Sequence, residues 1–411
     1  YNPLTMEATI GDAAEREDRP DFYGDDHLWI IQAVTAYVKE TGNLAFLDEV
    51  IPFYEKDRSE EPLESATVLE HLERALRFTR EHVGAHGLPL LGFADWNDTV
   101  NLPTGAESVF NAALYGRGLL ALMELADFQG DAVAVARYRT AYEEMAERVN
   151  AAAWDGEWYV RYFNADGTPV GSALNTEGKI FANGQSWPVI AGFAPPSRAR
   201  AALDAVYAHL NTTCGIKLSA PGYDGFDPDK GGVSTYPPGA KENGGIFLHA
   251  NPWVIIAETL IGRGDRAYAY YRQINPAARN DDIDGFECEP YVYPQNILGD
   301  EHPQFGLARN SWLTGTASWS YQAATQYILG IRPCYDGLEI APCIPAEWPG
   351  FTVLRRFRNA TYRIVVENPD GVNQGVVLMT VDGERVAGNL APIFGDGETH
   401  DVYVVMGMPD A

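Results

Sequence analysis

The spacing of apolar residues along this chain changes near residue 330. Before about Tyr327 they recur mostly three or four residues apart, and after Gly330 they alternate with polar residues. The first spacing places apolar side chains on one face of a helix, whereas alternation places them on one face of a strand. The pattern therefore predicts a mainly helical part over residues 1–329 and a small antiparallel β domain over residues 330–411.

Apolar stripes and stop signals locate the helices. One stripe covers residues 30–38 and precedes Gly42, and another covers residues 69–83 and precedes Gly84, as expected where glycine ends a helix. Such helices must pair to bury their stripes, which predicts a helical array. The stretch at 184–192 lacks the spacing of a nucleotide-binding loop and is predicted to be a connection. Further helices are predicted at about 108–127, 130–153, 196–210, 251–262, 266–274 and 310–329.

Charge and composition narrow the classes of ligand. The formal net charge of -27 disfavours binding to nucleic acid or to an anionic membrane surface. This charge favours a neutral or locally steered ligand. No apolar run reaches the roughly 18 residues that a membrane span needs. The four cysteines show no CxxC spacing, which predicts reduced thiols and a cytoplasmic location. The eight histidines form no HxH or HExxH arrangement, so no metal site is predicted.

The segment Asp95-Trp96-Asn97-Asp98 combines two carboxylates with an indole. An indole offers a sugar ring an apolar face, and a nearby carboxylic acid can protonate a glycosidic oxygen. The acid would need a raised pKa, through burial or neighbouring negative charge, to carry a proton near neutral pH. Taken alone, two aspartates at this spacing are also typical of a turn or a helix cap.

Two later segments could bind further parts of a sugar or an anion. Lys241 and Glu242 precede two glycines, where the backbone can approach a ligand closely; a surface ion pair is the alternative. His249 lies in an apolar run, where a lone histidine is usually a hydrogen-bonded core residue. Thr314 and Gly315 could offer a hydroxyl and backbone N–H groups to an oxyanion, or could simply cap a helix.

Together these segments resemble the inverting β-glycoside phosphorylases, the family of cellobiose and chitobiose phosphorylases. The similarity extends to the opening residues 1–5 and to Asp25-Asp26-His27-Leu28-Trp29. It implies an (α/α)6 toroid-type barrel that is incomplete at its N-terminal side, followed by a jelly-roll-like β domain. It also implies a homodimer, or an assembly with a missing N-terminal portion.

The resemblance assigns roles to individual residues. It implies inverting phosphorolysis of a β-glucoside such as cellobiose or cellobionic acid to α-D-glucose 1-phosphate, with inorganic phosphate as nucleophile and without a cofactor. Asp98 is then the general acid. The implied substrate-binding residues are Asp95, Trp96, Tyr236, Lys241 and Glu242, and the implied phosphate-binding residues are His249, Thr314 and Gly315.

The chain also departs from this family. It begins at Tyr1, and we find no counterpart of the family's N-terminal β-sandwich or of the Arg-Asp segment that binds phosphate. We therefore expect a portion of a phosphorylase that is active only when the missing portion is supplied. Two alternatives stay open: an inverting hydrolase with Glu287 or Glu289 as base, and a carbohydrate-binding remnant without activity. The pair Asp25-Asp26 is expected either to complement a helix dipole or to bind sugar.

Overall fold

The computed structural model of this chain describes residues 22–408, so the opening residues 1–5 that carry part of the resemblance lie outside the described residues. The α-helices are α1 (Asp26–Thr41), α2 (Val68–Glu81), α3 (Val109–Gln129), α4 (Ala132–Ala152), α5 (Ala182–Ile190), α6 (Pro196–His209), α7 (Asn251–Leu260), α8 (Gly264–Ile274), α9 (Ile283–Phe286) and α10 (Thr316–Gln322). A π-helix (Ala323–Ile328) continues α10, and 3-10 helices cover Leu44–Asp48, Gly231–Thr235, Leu248–Ala250 and Pro276–Asp282.

Short strands connect the helices, and longer ones follow them. The strands that precede or join helices are β1 (Val50–Pro52), β2 (Ser65–Thr67), β3 (Glu107–Ser108), β4 (Tyr162–Phe163), β5 (Pro169–Val170), β6 (Ile180–Phe181), β7 (Asn211–Thr212), β8 (Gly215–Ile216), β9 (Ser219–Ala220), β10 (Ile246–Phe247), β11 (Pro294–Ile297) and β12 (Ala308–Ser311). The C-terminal strands are β13 (Ile331–Pro333), β14 (Gly337–Ile340), β15 (Gly350–Phe357), β16 (Ala360–Glu367), β17 (Val376–Val381), β18 (Glu384–Arg385), β19 (Leu390–Pro392) and β20 (Thr399–Met406).

The helices form an inner and an outer layer. The inner helices α1, α3, α5 and α7 contact one another in succession, and each packs against the helix that follows it, from α2 to α8. The inner helix α3 buries residues on all sides, whereas α4 of the same length buries four. Among the described helices this layering confirms the predicted helical array and closes no barrel, so the toroid stays a prediction.

Two predictions about helices were wrong. Helix α5 occupies part of the stretch predicted to be a connection, because a helix buried on nearly every side and carrying Pro188 shows no amphipathic stripe. The helix predicted at 310–329 begins only at Thr316, since strand β12 occupies the residues up to Ser311. The other helices that the stripes predicted are present, with bounds that differ by a few residues.

The C-terminal sheet is mixed, which corrects the prediction of a purely antiparallel domain. Its strand order is β15-β16-β20-β17-β18, and β16 pairs with β20 in parallel while the other pairs are antiparallel. In β16 the alternation correctly predicted the buried residues Tyr362, Ile364 and Val366. Alternation contains no information about strand direction, because both orientations place side chains on alternate faces. A second sheet, β13-β14-β19, lies next in sequence to the π-helix.

Arg358 joins the C-terminal sheet to the first inner helix. It lies in the turn between β15 and β16, and its guanidinium donates to the Lys39 carbonyl at the end of α1 at 2.7 Å. It also donates to the carbonyls of Cys334 and Tyr335, at 3.2 and 2.8 Å. A cation at a helix C-terminus stabilises carbonyls that have no partner within the helix. No helix within residues 22–408 is long and apolar enough to cross a membrane.

We predict that Arg358→Ala lowers the free energy of unfolding by about 1–3 kcal/mol, because charged hydrogen bonds to several carbonyls are lost. Urea unfolding measures this change. Arg363→Ala is the matched control, since it removes an exposed ion pair with Asp401 and should change stability little. Equal effects of the two substitutions would contradict the role given to Arg358.

Candidate active site

A cleft of about 290 Å³ lies where loops meet the N-terminal ends of inner helices. It is bordered by the residues before and within the start of α1, by the loop that carries the Asp95-to-Asp98 motif, and by the residues that precede α7 and α10. Its lining residues are Tyr23, Asp25, Asp26, Trp29, Asp95, Trp96, Asp98, Phe247, His249, Gln295, Leu313, Thr314 and Gly315.

Beneath this cleft lies an aromatic cluster with one residue from each of α1, α3, α5, α7 and α10. Its members are Trp29, Phe110, Trp187, Trp253 and Trp319. The rings of Trp29 and Trp253 stack with centroids 6.1 Å apart, and Trp187 and Trp319 meet them edge to face. Trp96 and His249 rest on Trp253, at centroid distances of 4.6 and 5.0 Å. The cluster therefore supports the cleft from below.

Asp95 forms a fully buried ion pair with Arg161. Both side chains are 0% exposed, and Arg161 Nη2 donates to Asp95 Oδ1 at 2.8 Å. The Ser108 hydroxyl donates to Asp95 Oδ2 at 2.7 Å, and the Tyr162 hydroxyl donates to Oδ1 at 3.2 Å. Ser108 is also the N-cap of α3. Both carboxylate oxygens of Asp95 are thus occupied, so its contacts order the loop.

Asn97 connects the Asp95–Arg161 pair to Glu242 through hydrogen bonds. Its side-chain oxygen accepts from Arg161 and from Asn183, at 2.8 and 2.9 Å, and its amide donates to Glu242 Oε2 at 3.2 Å. Burial and the nearby charge of Asp98 raise the pKa of Glu242 to about 8. Glu242 is therefore mainly a protonated carboxylic acid at neutral pH. It lies 145 positions after its hydrogen-bond partner Asn97 in the sequence.

Asp98 faces the open cleft and remains exposed to solvent. Desolvation by the surrounding protein raises its pKa to about 6, and the negative charges of Asp26 and Asp95 add to this effect. Asp98 and Asp95 therefore have opposite surroundings although they are three residues apart. Asp95 is buried and has a cationic partner, whereas Asp98 is open to solvent and has a pKa close to neutral pH.

His249 lines the cleft and has one ring nitrogen without a hydrogen-bond partner among residues 22–408. The Trp96 indole N–H donates to His249 Nδ1 at 3.3 Å, so the ring proton lies on Nε2. That Nε2 is buried and has no hydrogen-bond partner among residues 22–408. Burial lowers the pKa of His249 to about 4, so the ring is neutral. Gly315 lies against this ring, because a β-carbon added there would stand 2.9 Å from His249 Cε1.

Thr314 and Gly315 immediately precede α10. The Thr314 hydroxyl forms a 2.6 Å hydrogen bond with the Thr316 hydroxyl and accepts from the Thr316 backbone N–H at 3.2 Å. These contacts form a turn before the helix and not a helix cap, because the N-cap of α10 is Gly315 and no side chain caps it. They also fix the Thr314 side chain in the cleft beside His249, where Thr314 and Gly315 are both lining residues.

The remaining site residues of the sequence prediction lie beside the cleft lining. Lys241 has a left-handed backbone with φ of 49°, and its ammonium lies 5.2 Å from the centre of the Tyr236 ring. Burial raises the pKa of the Tyr236 hydroxyl, and the charges of Glu242 and Asp98 raise it further. The structure thus gathers Asp95, Trp96, Asp98, His249, Thr314 and Gly315 in one cleft, with Tyr236, Lys241 and Glu242 at its side.

The alternative carboxylates Glu287 and Glu289 are not among the cleft-lining residues of the described part of the chain. Glu287 is exposed and lies 3.6 Å from Arg309. Hydrogen bonds from its own backbone and from Trp312 hold the pKa of Glu289 below its usual range. Within residues 22–408, no group of three His, Cys, Asp or Glu side chains is arranged to hold a metal ion.

Sequence reasoning missed Arg161, Asn97 and Asn183 as members of the site. All three are fully buried, and none is itself one of the cleft-lining residues. A signal for Arg161 was present in Trp158-Tyr159-Val160-Arg161-Tyr162, where a charged residue interrupts a run of large apolar ones. A charge in such a run is seldom buried without a partner, but the sequence does not show which acid that partner is.

We predict opposite effects on stability for the two aspartates. Asp95→Ala leaves Arg161 buried without a counter-ion and should lower the free energy of unfolding by about 3–5 kcal/mol. Asp98→Ala removes a carboxyl whose pKa rises on folding, which costs stability at pH 7, so this substitution should raise the free energy of unfolding. Urea unfolding at pH 7 measures both, and comparable losses would contradict this division of roles.

Comparison with known proteins relates this site to a family. The glycosyl hydrolase 94 superfamily catalytic domain matches residues 5–330. An N,N'-diacetylchitobiose phosphorylase of Vibrio furnissii is 41% identical over 98% of this chain and 49% of its own length. A solabiose phosphorylase of Paenibacillus borealis is 37% identical over 94% of this chain and 50% of its own length. A cellobionic acid phosphorylase of Neurospora crassa is 30% identical over 82% of this chain and 43% of its own length.

Solved structures agree on the fold. A sialidase superposes with a TM-score of 0.55 at 13% identity, over 80% of this chain and 28% of its own. A GH78 family rhamnosidase of Bacillus sp. GL1 superposes with a TM-score of 0.54 at 14% identity, over 95% and 35%. The chain spans about half the length of the curated relatives that it matches. The family match over most of the chain shows that this protein belongs to the glycosyl hydrolase 94 superfamily and contains its catalytic-domain sequence.

Proposed function

We propose that this chain supplies the catalytic site of an inverting phosphorylase that cleaves a β-linked disaccharide. Phosphate attacks the anomeric carbon, the bond to the departing sugar breaks, and the products are an α-sugar 1-phosphate and the free sugar. The observation that carries this proposal is one cleft that combines an acid with a pKa of about 6 and an unpartnered neutral donor at His249.

Asp98 is the proposed general acid. A departing sugar oxygen needs a proton, and an acid with a pKa near the working pH both holds a proton and releases it readily. Asp98 meets this condition through desolvation and the charges of Asp26 and Asp95. Trp96, whose indole borders the same cleft, is the proposed apolar surface for the sugar, and Glu242, Lys241 and Tyr236 are the proposed partners of its hydroxyls.

His249, Thr314 and Gly315 are the proposed phosphate-binding residues. A neutral imidazole with its proton on Nε2 can donate to a phosphate oxygen. Because Gly315 has no side chain, the space next to the His249 ring stays open. An anion that is already charged near neutral pH needs no base to activate it, so a phosphorylase requires one acid plus donors.

The identity of the disaccharide is part of the proposal. The sequence resemblance suggested cellobiose or cellobionic acid, whereas the two N,N'-diacetylchitobiose phosphorylases share 41% and 40% identity with this chain, against 30% for the cellobionic acid phosphorylase. We therefore place N,N'-diacetylchitobiose first among test substrates, followed by solabiose, cellobiose and cellobionic acid. Because the chain spans half the length of these relatives, we propose that the full activity also needs the remaining half, and that the enzyme is a cytoplasmic homodimer.

An inverting hydrolase is the second candidate, and Asp26 is the observation that favours it. This carboxyl also lines the cleft, is only partly buried, and is close enough to raise the pKa of Asp98. A second carboxylate across the sugar ring could activate water in place of phosphate. Turnover that proceeds without phosphate and fails in Asp26→Asn would establish this alternative.

We predict that the natural polypeptide carrying this chain releases a sugar 1-phosphate only when inorganic phosphate is present. Asp98→Asn should lower kcat by about 10²–10⁴-fold, because the proton donor is lost. The assay measures sugar 1-phosphate by coupled oxidation or by 31P NMR for each disaccharide. Asp127→Asn, on the exposed end of α3, is the matched control. Retained turnover in Asp98→Asn would refute the role of Asp98.

The pH dependence provides a separate prediction. Because Asp98 must be protonated to act, kcat/KM at saturating phosphate should fall as pH rises through about 6. His249 stays neutral above a pH of about 4, so its titration should not change kcat/KM near neutral pH. A rate profile between pH 4.5 and 8.5 tests both statements, and a profile that is flat across pH 6 would contradict the first.

A further inference from the structure

Asp25 is a cleft residue to which the proposed mechanism gives no part. It is the residue directly before α1 and lines the cleft, yet it is 2% exposed. Its side chain does not cap the helix. The Trp29 indole N–H donates to its Oδ2 at 2.7 Å, and its Oδ1 is buried without a hydrogen-bond partner among residues 22–408.

The surroundings of Asp25 require it to be neutral. The groups that share its cleft are Tyr23, Asp26, Asp95, Asp98 and the neutral His249, and none of them is a cation. The guanidinium of Arg161 is already paired with Asp95. A buried carboxylate that has no cation, and accepts only from the Trp29 indole and from its own backbone N–H, is strongly disfavoured, so the group holds its proton. In keeping with this, burial and the charges of Asp95 and Asp26 raise the pKa of Asp25 well above its usual range.

The position of that proton follows from the hydrogen bonds. Oδ2 accepts from Trp29, so it is the carbonyl-like oxygen. The proton therefore lies on Oδ1, where an O–H group has no acceptor among the described residues. His249 Nε2 is in the same condition in the same cleft. A buried donor without an acceptor is costly unless a ligand or a water satisfies it.

We propose that Asp25 is a further ligand-binding residue of this cleft, donating a hydrogen bond from its protonated Oδ1 to an acceptor oxygen of the bound ligand. The acceptor is a sugar hydroxyl or a phosphate oxygen. The inference rests on the proposed function for the identity of the ligand. It also explains how an acid-rich cleft admits an anion, because a neutral carboxyl adds a donor without adding negative charge.

Two substitutions at Asp25 test the donor. Asp25→Asn keeps a neutral group that can donate, whereas Asp25→Leu keeps the size and loses the donor. We expect kcat/KM of Asp25→Leu to be at least about tenfold below that of Asp25→Asn, since a lost hydrogen bond leaves the ligand oxygen unsatisfied. The KM for phosphate and the KM for N,N'-diacetylchitobiose, measured separately, identify which oxygen accepts the bond. Equal kcat/KM values for the two variants, or a loss in Asp25→Asn as large as that of Asp98→Asn, would overturn the proposal.

A readout that needs no turnover tests the protonation state. The unfolded chain loses the Asp25 proton above about pH 3.9, while the folded chain retains it, so folding becomes less favourable as pH rises above that value. Asp25→Asn abolishes this dependence. Its Tm should therefore exceed that of the unchanged protein by a margin that widens between pH 4.5 and 7.5, whereas the margin for Asp127→Asn should stay constant.

The two measurements separate failure of this inference from failure of the proposed function. A Tm margin that does not change with pH would show that Asp25 is ionised and would overturn the inference, whatever the activity. A widening margin in a protein without phosphate-dependent turnover would support the neutral state of Asp25 and refute the proposed function. Turnover together with equal kcat/KM values in Asp25→Asn and Asp25→Leu would refute the ligand contact alone.

Discussion

The buried ion pair of Arg161 and Asp95 is the contact on which the arrangement of this site depends. Arg161 donates to Asp95 and Asn97 in the motif loop, to Ser108 at the start of α3, and to Asn183 in α5. One guanidinium thus joins a loop and two inner helices. Its planar array of donors can make such contacts simultaneously, which a lysine could not. Because both charges are fully buried, neither can change position without exposing the other to a large desolvation cost.

The position of this ion pair determines, through electrostatic interactions, the protonation states of the other carboxyls in the cleft. The negative charge of Asp95 helps to raise the pKa of Asp98. Asn97, which also contacts Arg161, donates a hydrogen bond to Glu242. Several carboxyls crowded around one cleft cannot all ionise. Asp25 and Glu242, which are buried without a cation, keep their protons, whereas Asp95 is paired with Arg161. The site therefore provides acids in different protonation states within one small volume, which is what proton donation and anion binding each require.

The sequence predicted the helices with amphipathic stripes and the residues with distinctive chemistry. It predicted less where burial is complete: α5 has no polar face, so periodicity gave no signal for it. Strand direction was also beyond its reach, as the parallel pairing of β16 with β20 shows. In the site, motif residues such as Asp98 and His249 could be named in advance. The partners Arg161 and Asn183 could not, because their contacts span 66 and 86 positions in the chain and arise only in the fold.

The central claim is that the fold raises the pKa of Asp98 to about 6, so that part of the Asp98 population still carries a proton near neutral pH, and its titration tests this most directly. Carbon-13 NMR of aspartate side-chain carboxyls, with Asp98 assigned by comparison with Asp98→Asn, would follow this group from pH 3 to pH 9. The account predicts a midpoint at about 6. A midpoint near the ordinary aspartate value of about 3.9 would contradict the account, because almost no Asp98 would then carry a proton to donate at neutral pH.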